Sequence, residues 1–362
     1  MNKLYLAALQ MIPGIGTVKL KKLVSFFGSA QQAWQAGRRD LLLCKCLDEQ
    51  TCNIFLEQRE KINIETLATR WAKLSIRLCA IGEADYPELL THIANPPMVL
   101  YYRGVLPDTD QIIAVVGARH ASAYGKNAAQ QLSAGISAEG FWVASGAARG
   151  IDTAAHRGAL AVETGKTIAV LGCGVDVVYP PENAKLLAEI AEHGCVLSEY
   201  PPATKPIAGF FPARNRIISG ISRGVIVVEA AERSGALITA DFALEEGRDV
   251  FSVPGSIFSA SSKGTHRLIK QGAKLVECAA DILEEYGGTI KKKETGLTLT
   301  TDEQAVYNCI DYENPFSVEE IVIKSGLRPS VVTYILLQLE LRGLAAEQKG
   351  QRYVRVAKEG IR

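Results

Sequence analysis

In the middle of the chain, short runs of apolar residues alternate with segments in which apolar residues have the spacing of a helix. The first runs lie at 112–116, 141–144 and 167–171, and apolar residues repeat every four positions between the first two. Later runs of the same kind lie at 195–197, 225–229, 249–253 and 273–276. Strands that are apolar on both faces are typical of a parallel sheet covered by helices. The pattern therefore predicts an α/β domain whose ligands bind at the carboxyl ends of the strands.

The segments on either side of this domain are predicted to form smaller domains. Residues 1–80 have the spacing of several short helices. Residues 298–362 predict three helices followed by two strands, which is the outline of a winged helix. Residues 288–297 combine glycine and lysine with little apolar surface, a composition typical of a linker. The sheet domain is thus expected at 85–287.

A proline and glycine turn, PGIG at 13–16, joins the first two predicted helices. In a helix-hairpin-helix or sterile-alpha-motif-like module such a turn exposes backbone N–H groups that can hold a phosphate. Lys19, Lys21 and Lys22 follow directly. A tight helix–helix turn with a solvated basic face explains the same residues equally well, so both interpretations stay open.

The third helix of the predicted winged helix brings few cations to its outer face, where Ser330, Thr333, Tyr334 and Gln338 are expected. A helix that reads a major groove normally presents Arg or Lys to the DNA. The pattern therefore favours a protein-contact or structural module over a DNA-reading module.

Charge is distributed unevenly along the chain, although its sum is close to zero. The 362 residues include 40 Lys and Arg and 39 Asp and Glu, which gives a net charge of +1. Residues 1–80 have 12 basic and 6 acidic side chains, whereas residues 81–297 have 20 and 24. The sum argues against a generally basic nucleic-acid binder. Its division along the chain still allows a local basic surface.

The eight cysteines form no recognisable metal or redox motif. They make no CxxC pair and no ligand series with the five histidines, so no metal is predicted. The thiols are interpreted as reduced packing residues. Since the chain has no secretion signal and no apolar run of about 18 residues, we expect a cytoplasmic protein without a membrane partner.

Small residues follow almost every predicted strand of the sheet. They are Gly117, Ser145, Gly146, Gly172 and Gly174. Such residues let a ligand approach the backbone, and helix N-termini beyond them offer N–H donors to anions. The turn after the first strand is not GxGxxG, and no P-loop motif occurs. A nicotinamide or flavin dehydrogenase and a P-loop NTPase are therefore disfavoured, and no cofactor is predicted.

Cations and aromatic rings lie beside these small residues. The cations are Arg119, Arg149, Lys205, Arg214 and Arg216, and Phe210, Phe211 and Asn215 lie among the last of them. Planar guanidinium groups suit phosphodiester oxygens, and phenyl rings can stack on the bases of a single strand. Each residue also has a structural alternative, because Arg214 can cap a helix or pair with an internal carboxylate and either Phe can be a core residue.

Five motifs occur in the order found in one family. They are SGAARGID at 145–152, HRGAL at 156–160, GCGVDVVYP at 172–180, FPARNRII at 211–218 and SGALITA at 234–240. Together they resemble the DNA-processing protein A family (DprA/Smf) over most of residues 85–287. Two positions depart from the family's pattern, since Ala118 replaces a usual Ser and His266 replaces a usual Asn.

The resemblance implies an extended Rossmann-like domain, flanked by a sterile-alpha-motif-like domain and a winged helix, that binds single-stranded DNA without catalysis. Proteins of this kind act as homodimers, protect incoming strands in natural transformation and help to load the RecA recombinase. The resemblance also implies that Arg119, Lys205 and one of Phe210 or Phe211 form the DNA pocket.

The residues and the resemblance together predict an anion groove along the strand ends. Arg119, Lys205, Arg214 and Arg216 are expected to hold successive phosphates, helped by the backbone N–H groups of three glycines. The complete predicted DNA site consists of Gly117, Arg119, Ser145, Gly146, Arg149, Gly172, Gly174, Lys205, Phe210, Phe211, Arg214, Asn215 and Arg216.

Two other functions compete with this prediction. The sheet also resembles that of nucleotide phosphoribohydrolases of the lysine-decarboxylase-like group, but no Glu stands three positions after Thr265, where their PGGxGTxxE loop has its carboxylate. An inert interaction scaffold is the other alternative. The residues His266, Leu268, Ile269 and Leu275 form either a dimer face or core, and the sequence leaves that choice open.

Overall fold

The computed structural model describes residues 2–287, 299–348 and 350–356. The predicted linker at 288–297 lies outside the described residues. Within them, the chain forms a group of helices, then a nine-stranded sheet covered by helices, then a small domain of three helices and three strands. The predicted α/β class with a C-terminal winged helix is confirmed.

Helices make up the N-terminal part of the chain. They are α1 (Asn2–Gln10), α2 (Thr17–Phe27), α3 (Ala30–Gln35), α4 (Arg38–Leu43), α5 (Glu49–Lys61) and α6 (Ile64–Lys73). Helix α2 ends at Gly28, whose φ of 80° suits glycine. Ser29 and Asp48 start the helices that follow them, because their side chains accept hydrogen bonds from the N–H groups of Gln32 and Thr51.

The large sheet has the order β1-β2-β6-β5-β4-β3-β7-β8-β9. Its strands are β1 (Arg77–Ala80), β2 (Val99–Gly104), β3 (Ile112–Val116), β4 (Trp142–Ser145), β5 (Thr167–Val170), β6 (Cys195–Ser198), β7 (Gly224–Val227), β8 (Asp249–Ser252) and β9 (Lys274–Leu275). The strands from β6 to β9 in this order are parallel, and β1 and β2 are antiparallel to their neighbours. The register pairs Ala114 with Ala144 on one side and with Val225 on the other.

Helices cover both faces of this sheet. They are α7 (Glu88–Thr91), α8 (Ala123–Ala138), α9 (Ile151–Leu160), α10 (Ala184–His193), α11 (Phe210–Gly220), α12 (Gly235–Glu245), α13 (Lys263–Lys270) and α14 (Ala279–Leu283). Ile113 and Val115 of β3 pack with residues of α8 and α9, whereas Ala114 and Val116 pack with residues of α11 and α12. Burial on both faces explains why the strand sequences are apolar without alternation.

The chain reverses its direction of travel across the sheet at β3. It proceeds from β3 through β4 and β5 to β6, and then returns to β7 on the other side of β3. At such a switch point the connections diverge and leave a crevice at the carboxyl ends of the strands. The crevice is therefore expected between the turns that follow β3 and β7.

The N-terminal helices share a hydrophobic core with the antiparallel edge of the sheet. Leu9 and Trp71 belong to the same buried cluster as Tyr101 and Val196 of the sheet. Residues 77–80, which we expected at the end of the helical domain, form the edge strand β1. The sheet therefore begins before residue 85, where we expected it. The boundary was placed at the proline-rich segment, and the four-residue strand β1 lies before that segment.

The C-terminal domain consists of α15 (Thr301–Cys309), β10 (Phe316–Ser317), α16 (Val318–Ser325), α17 (Pro329–Leu341), β11 (Ala345–Gln348) and β12 (Arg352–Arg355). Its sheet has the order β10-β12-β11. The third helix buries Val332, Ile335, Leu336 and Leu339, as the spacing predicts. The domain touches the large sheet domain where Asn127 Nδ2 donates to the carbonyl oxygen of Arg355 at 3.3 Å.

Candidate functional site

A cavity of about 440 Å³ opens at the carboxyl end of β3, at the switch point of the sheet. Its walls come from the turn after β3, the start of α9, the loop before α11 and the first turns of α11 and α12. The predicted residues that line it are Gly117, Arg119, Phe211, Arg214 and Asn215. The fold thus brings residues from distant motifs to one crevice.

Arg119 and Phe211 form the mouth of the cavity. The guanidinium of Arg119 lies over the Phe211 ring, 5.5 Å from its centroid. Tyr179 packs against the same ring at a centroid distance of 5.3 Å. Gly172 leaves room for the ring, because a Cβ atom there would lie 2.9 Å from Phe211 Cδ1. Since Arg119 is exposed, the ring supports the guanidinium while its charge stays accessible to an anion.

Arg214 forms the floor of the cavity and is only 3% exposed. Its Nη1 atom donates to the carbonyl oxygen of Gly146 at 2.9 Å and also to that of Val170. Burial lowers the pKa of Arg214 to about 10, against the opposing effect of the nearby Asp152 carboxylate. Arg214 therefore holds strand ends together, which differs from its predicted role as a phosphate ligand.

Asp152 is a buried carboxylate that lies across Gly146 from Arg214. Burial raises the pKa of Asp152, whereas the charge of Arg214 and a hydrogen bond from the Ala148 N–H group lower it. A Cβ atom at Gly146 would lie 2.6 Å from Arg214 Nη2 and 2.7 Å from Asp152 Oδ2. Among the described residues that line the cavity, Asp152 is the only carboxylate. Because it is held by the fold, it is poorly placed to act as the acid of a nucleotide hydrolase.

Other predicted strand-end residues also serve the fold. Ser145 is fully buried, and its hydroxyl donates to a carbonyl of β3 at 2.6 Å. Gly117 lets α9 approach, because a Cβ atom there would lie 2.6 Å from Ile151 Cγ1. The N–H group of Gly174 donates to the carbonyl oxygen of Thr204 at 2.9 Å. Ser145 and Gly174 thus have internal partners in place of the expected phosphate.

Three more polar residues of the predicted site have different partners, namely Lys205, Arg149 and Asn215. Lys205 is exposed, and its neighbour Pro206 lines the cavity. Arg149 forms an ion pair with Glu182, which raises the pKa of Arg149. Asn215 donates through Nδ2 to a backbone carbonyl at the start of α12, at 3.3 Å. Lys205 is therefore an exposed cation next to a residue of the cavity wall, whereas Arg149 faces a carboxylate.

Phe210 and Arg216 line a neighbouring cleft beside the N-terminal helices. The ring of Phe210 stacks on Tyr200 with a centroid distance of 4.1 Å and an interplanar angle of 18°. Arg216 Nη2 lies 2.6 Å from Glu199 Oε2, and Thr17 Oγ1 donates to the same oxygen at 3.4 Å. Burial raises the pKa of Glu199, an effect that Arg216 opposes. The predicted row of phosphate ligands is thus divided, because successive positions of α11 point to different clefts.

Glu229 is a buried residue that our sequence reasoning did not identify. Its carboxylate accepts hydrogen bonds from the N–H group of Ser122, at 2.9 Å, and from the Ser122 hydroxyl. Gly125 is required beside it, because a Cβ atom there would lie 2.5 Å from Glu229 Oε2. The carboxylate therefore occupies the N-terminus of α8, where dinucleotide-binding folds place a phosphate. Its signal in the sequence is a charged residue directly after the apolar run of β7.

The four residues of the possible dimer face lie at different depths. Leu268 is 2% exposed and belongs to the core under the sheet. His266 Nε2 lies 3.0 Å from the carbonyl oxygen of Gly255. Ile269 is half-buried and Leu275 is 44% exposed. The core interpretation thus holds for Leu268, while Ile269 and Leu275 reach the surface.

The described residues contain one group with the donor atoms of a metal site, Cys79, Glu83 and Asp85. The thiol of Cys79 donates to Asp85 Oδ1 at 3.1 Å, and Lys3 Nζ lies 3.1 Å from Glu83. Burial raises the pKa of Cys79. Because these groups already bind one another and Lys3, we infer no metal centre there.

None of the described helices combines the length and apolar composition needed to cross a membrane.

The fold and the cavity together define a class of protein. Proteins of this class combine a Rossmann-like sheet domain with a winged helix. In this chain the crevice of the sheet presents an arginine on an aromatic ring, where a dinucleotide-binding protein has its glycine motif. The chain belongs to the DNA recombination-mediator protein A family, whose model matches residues 77–287. The DprA winged helix domain matches residues 291–351. The resemblance indicated by the five motifs is therefore confirmed.

Individual relatives cover most of the chain. Protein Smf of Synechocystis sp. is 35% identical across 97% of this chain and 98% of its own length. The X-ray structure of DNA processing protein A from Streptococcus pneumoniae superposes with a TM-score of 0.68 and 38% identity, covering 79% of this chain and 98% of that one. A Helicobacter pylori DNA processing protein A structure, which concerns its single-stranded DNA binding mode, gives a TM-score of 0.51 and 30% identity over 58% of this chain and 95% of that one.

Proposed function

We propose that this protein binds single-stranded DNA, protects incoming strands during natural transformation and helps to load RecA onto them, without catalysis of its own. The observation that carries the proposal is the exposed Arg119 guanidinium, held over Phe211 at the mouth of the cavity. Membership of the family and the DNA-binding relative from Helicobacter pylori support the same function. The RecA and transformation parts rest on the family alone.

The cavity mouth suits one phosphate of a flexible strand. The guanidinium of Arg119 offers paired N–H donors to phosphate oxygens, and Lys205 supplies a second positive charge nearby. Phe211 is covered by Arg119 and Tyr179, so its task is to position the guanidinium. A cavity of about 440 Å³ is of the size that accepts a small-molecule group. A base that has no pairing partner can enter it, whereas a base in a duplex must first unstack.

We further propose a homodimer that forms through the surface beside α13. Leu244 and Leu275 are exposed there, and Ile269 is half-buried. Leu244 lines a groove together with Lys274, the chain neighbour of Leu275, and with Leu268, the buried neighbour of Ile269. We expect Leu275→Glu to give a folded monomer in light scattering, because an exposed side chain can be changed without disturbing the core. We also propose that the protein is cytoplasmic, because its eight cysteines form no disulfide bond.

A titration of labelled single-stranded and duplex DNA over a range of salt concentrations tests the main proposal. We expect tighter binding of the single strand, with an affinity that falls as salt rises by roughly 0.7 in the log–log slope for each phosphate contacted. Binding of duplex DNA that is as tight or tighter would contradict the proposal. Release of free adenine from AMP would instead favour the nucleotide hydrolase.

A further inference from the structure

Two further clefts lie beside the N-terminal helices. The first, the hairpin cleft, has about 590 Å³ and lies between the 10–17 turn and the 199–204 loop. The second, the α2 cleft, has about 540 Å³ and is lined mainly by α2. Phe211 lines the cavity and Phe210 lines the hairpin cleft, while Thr17 lines both the hairpin cleft and the α2 cleft. The hairpin cleft and the α2 cleft therefore adjoin at Thr17, and the first turn of α11 stands between the hairpin cleft and the cavity.

The hairpin cleft has an aromatic wall and a fixed geometry. The stacked rings of Tyr200 and Phe210 are both half-buried and line it. The N-terminal helices are held against it by two contacts to one residue of the sheet domain. Gln10 Nε2 donates to the carbonyl oxygen of Glu199 at 2.7 Å, and Thr17 donates to its carboxylate. The hairpin cleft is thus a built junction between the two domains.

The α2 cleft combines cations with exposed apolar side chains. Val18, Lys22 and Phe26 follow one another at four-residue spacing on α2, and Lys21 lies beside them. Val18 is 56% exposed and Phe26 is 55% exposed. Both lysines are exposed as well. This surface belongs to residues 1–80, the segment with twice as many basic as acidic side chains.

We propose that a single strand bound at the cavity mouth continues across the Tyr200–Phe210 wall and along the α2 cleft. This proposal rests on the proposed function. A strand alternates phosphates with bases, so it needs cations and aromatic faces in alternation along its path. Arg119 supplies the first cation, and the Tyr200–Phe210 pair supplies the aromatic wall. Phe26 supplies the next aromatic face, with Lys21 and Lys22 beside it. The N-terminal domain is therefore an extension of the DNA site.

Length-dependent binding tests this path. We compare an oligothymidylate of about 4 nucleotides, which fills the cavity region, with one of about 16. Lys21→Ala/Lys22→Ala should weaken binding of the longer oligonucleotide by about tenfold at low salt and lower its log–log salt slope by roughly 1.4, with no effect on the shorter one. Arg39→Ala/Lys73→Ala is the matched control, because it removes two exposed charges of the same domain away from the clefts.

The outcomes separate the two proposals. If wild-type protein binds neither oligonucleotide, the proposed function itself fails. If it binds both but the α2 variant behaves as wild type, the extended path is wrong and the cavity site stands. An equal loss of affinity for both lengths, or the same loss in the control variant, also overturns the path. If the α2 surface binds an acidic peptide and no DNA, Lys21→Ala/Lys22→Ala should bind both oligonucleotides as the wild type does. That result also overturns the extended path.

A footprint on the unmodified protein provides a second test that does not depend on a variant. Cys46 is half-buried and lines the α2 cleft, whereas Cys278 is half-buried and lies outside the three clefts. We expect the longer oligonucleotide to slow alkylation of Cys46 by iodoacetamide at least threefold, measured by peptide mass spectrometry, and the shorter one to leave it unchanged. Alkylation of Cys278 should not change with either. An unchanged rate at Cys46 with bound long oligonucleotide overturns the path.

Discussion

The mouth and the floor of the cavity each contain an arginine, but the two arginines have different surroundings. Arg119 at the mouth is exposed and rests on one face of Phe211. Arg214 at the floor is buried, donates to two backbone carbonyls and lies near Asp152. A buried guanidinium that donates to two backbone carbonyls stabilises the crevice, whereas an exposed one that rests on a ring keeps its donors accessible to an anion. The difference indicates a structural role for Arg214 at the floor and supports the proposed DNA-binding role of Arg119 at the mouth.

The largest effect is expected from Arg214→Ala. The substitution leaves a cavity, two carbonyls that lose their donor and the Asp152 carboxylate without its neighbouring charge. Changes of this kind lower the free energy of unfolding by about 3–5 kcal/mol. Urea denaturation at pH 7 measures it. The same variant with Asp152→Asn should recover part of the loss, and full stability of Arg214→Ala would remove the distinction between mouth and floor.

A second effect concerns the pH dependence of stability in the core between α9 and β5. His156 is fully buried, its Nδ1 atom lies 2.7 Å from Thr167 Oγ1, and burial with a smaller contribution from Arg214 lowers its pKa to about 3. The unfolded chain, with a pKa of about 6.5, binds this proton more readily. The stability is therefore fully present above pH 6.5 and is lost as the pH falls from there towards 3, by about 1.4 kcal/mol per pH unit.

The contribution of His156 can be isolated with a substitution. His156→Gln keeps a polar group for Thr167 and removes the titration. The free energy of unfolding, measured by urea denaturation, should fall by about 2 kcal/mol more in the wild type than in the variant between pH 7 and pH 5. Parallel pH profiles would mean that the core between α9 and β5 does not hold a neutral histidine. Arg119→Ala, at the mouth, should keep the wild-type pH profile.

A third prediction tests how tightly the floor is packed. Gly146→Ala places a Cβ atom 2.6 Å from Arg214 Nη2, and that nitrogen cannot move freely because the guanidinium is held by two carbonyls. We expect a loss of about 1–3 kcal/mol in the free energy of unfolding. Gly209→Ala is the matched control, since a Cβ atom there has no neighbour within 4 Å and the backbone is already helical. Equal stabilities of the two variants would contradict close packing at the floor.

The sequence predicted the location of the site better than the orientation of its side chains. The apolar runs and the small residues after them placed the crevice at the strand ends, because burial on both faces of the sheet leaves a direct trace in composition. The inward direction of Arg214 was only one of two alternatives, although Ile217, Ile218 and Ile221 repeat with it at the spacing of a buried helix face. Because Arg214 is charged, the spacing alone did not identify it as a member of the buried face.

Contacts between distant segments could not be predicted from a single sequence. Glu229 binds Ser122, more than a hundred residues away, and nothing local to either residue indicates the pairing. The same applies to Glu199, which meets both Arg216 and the N-terminal Thr17. These buried carboxylates explain why a domain with more acidic than basic side chains can still present a basic mouth, because part of its negative charge is directed inward.

The smallest effect on stability, and the most specific effect on binding, is expected at the mouth. Arg119→Ala should change the free energy of unfolding by less than about 0.5 kcal/mol, because an exposed side chain on one ring contributes little to folding. Loss of one phosphate contact should weaken single-strand binding by about tenfold and lower the log–log salt slope by roughly 0.7. Arg119→Lys should keep the slope while losing affinity, since it retains the charge without the planar fork.

Arg157→Ala serves as the control for this substitution, because Arg157 is exposed near the end of α9 and does not line the cavity. It should leave both affinity and salt slope unchanged in a fluorescence anisotropy titration. If Arg119→Ala binds as tightly as wild type with an unaltered slope, the mouth is not the phosphate site. If it unfolds as readily as Arg214→Ala, both arginines are structural. Since the two measurements are independent, only a folded variant with a shallower salt slope supports the division between mouth and floor.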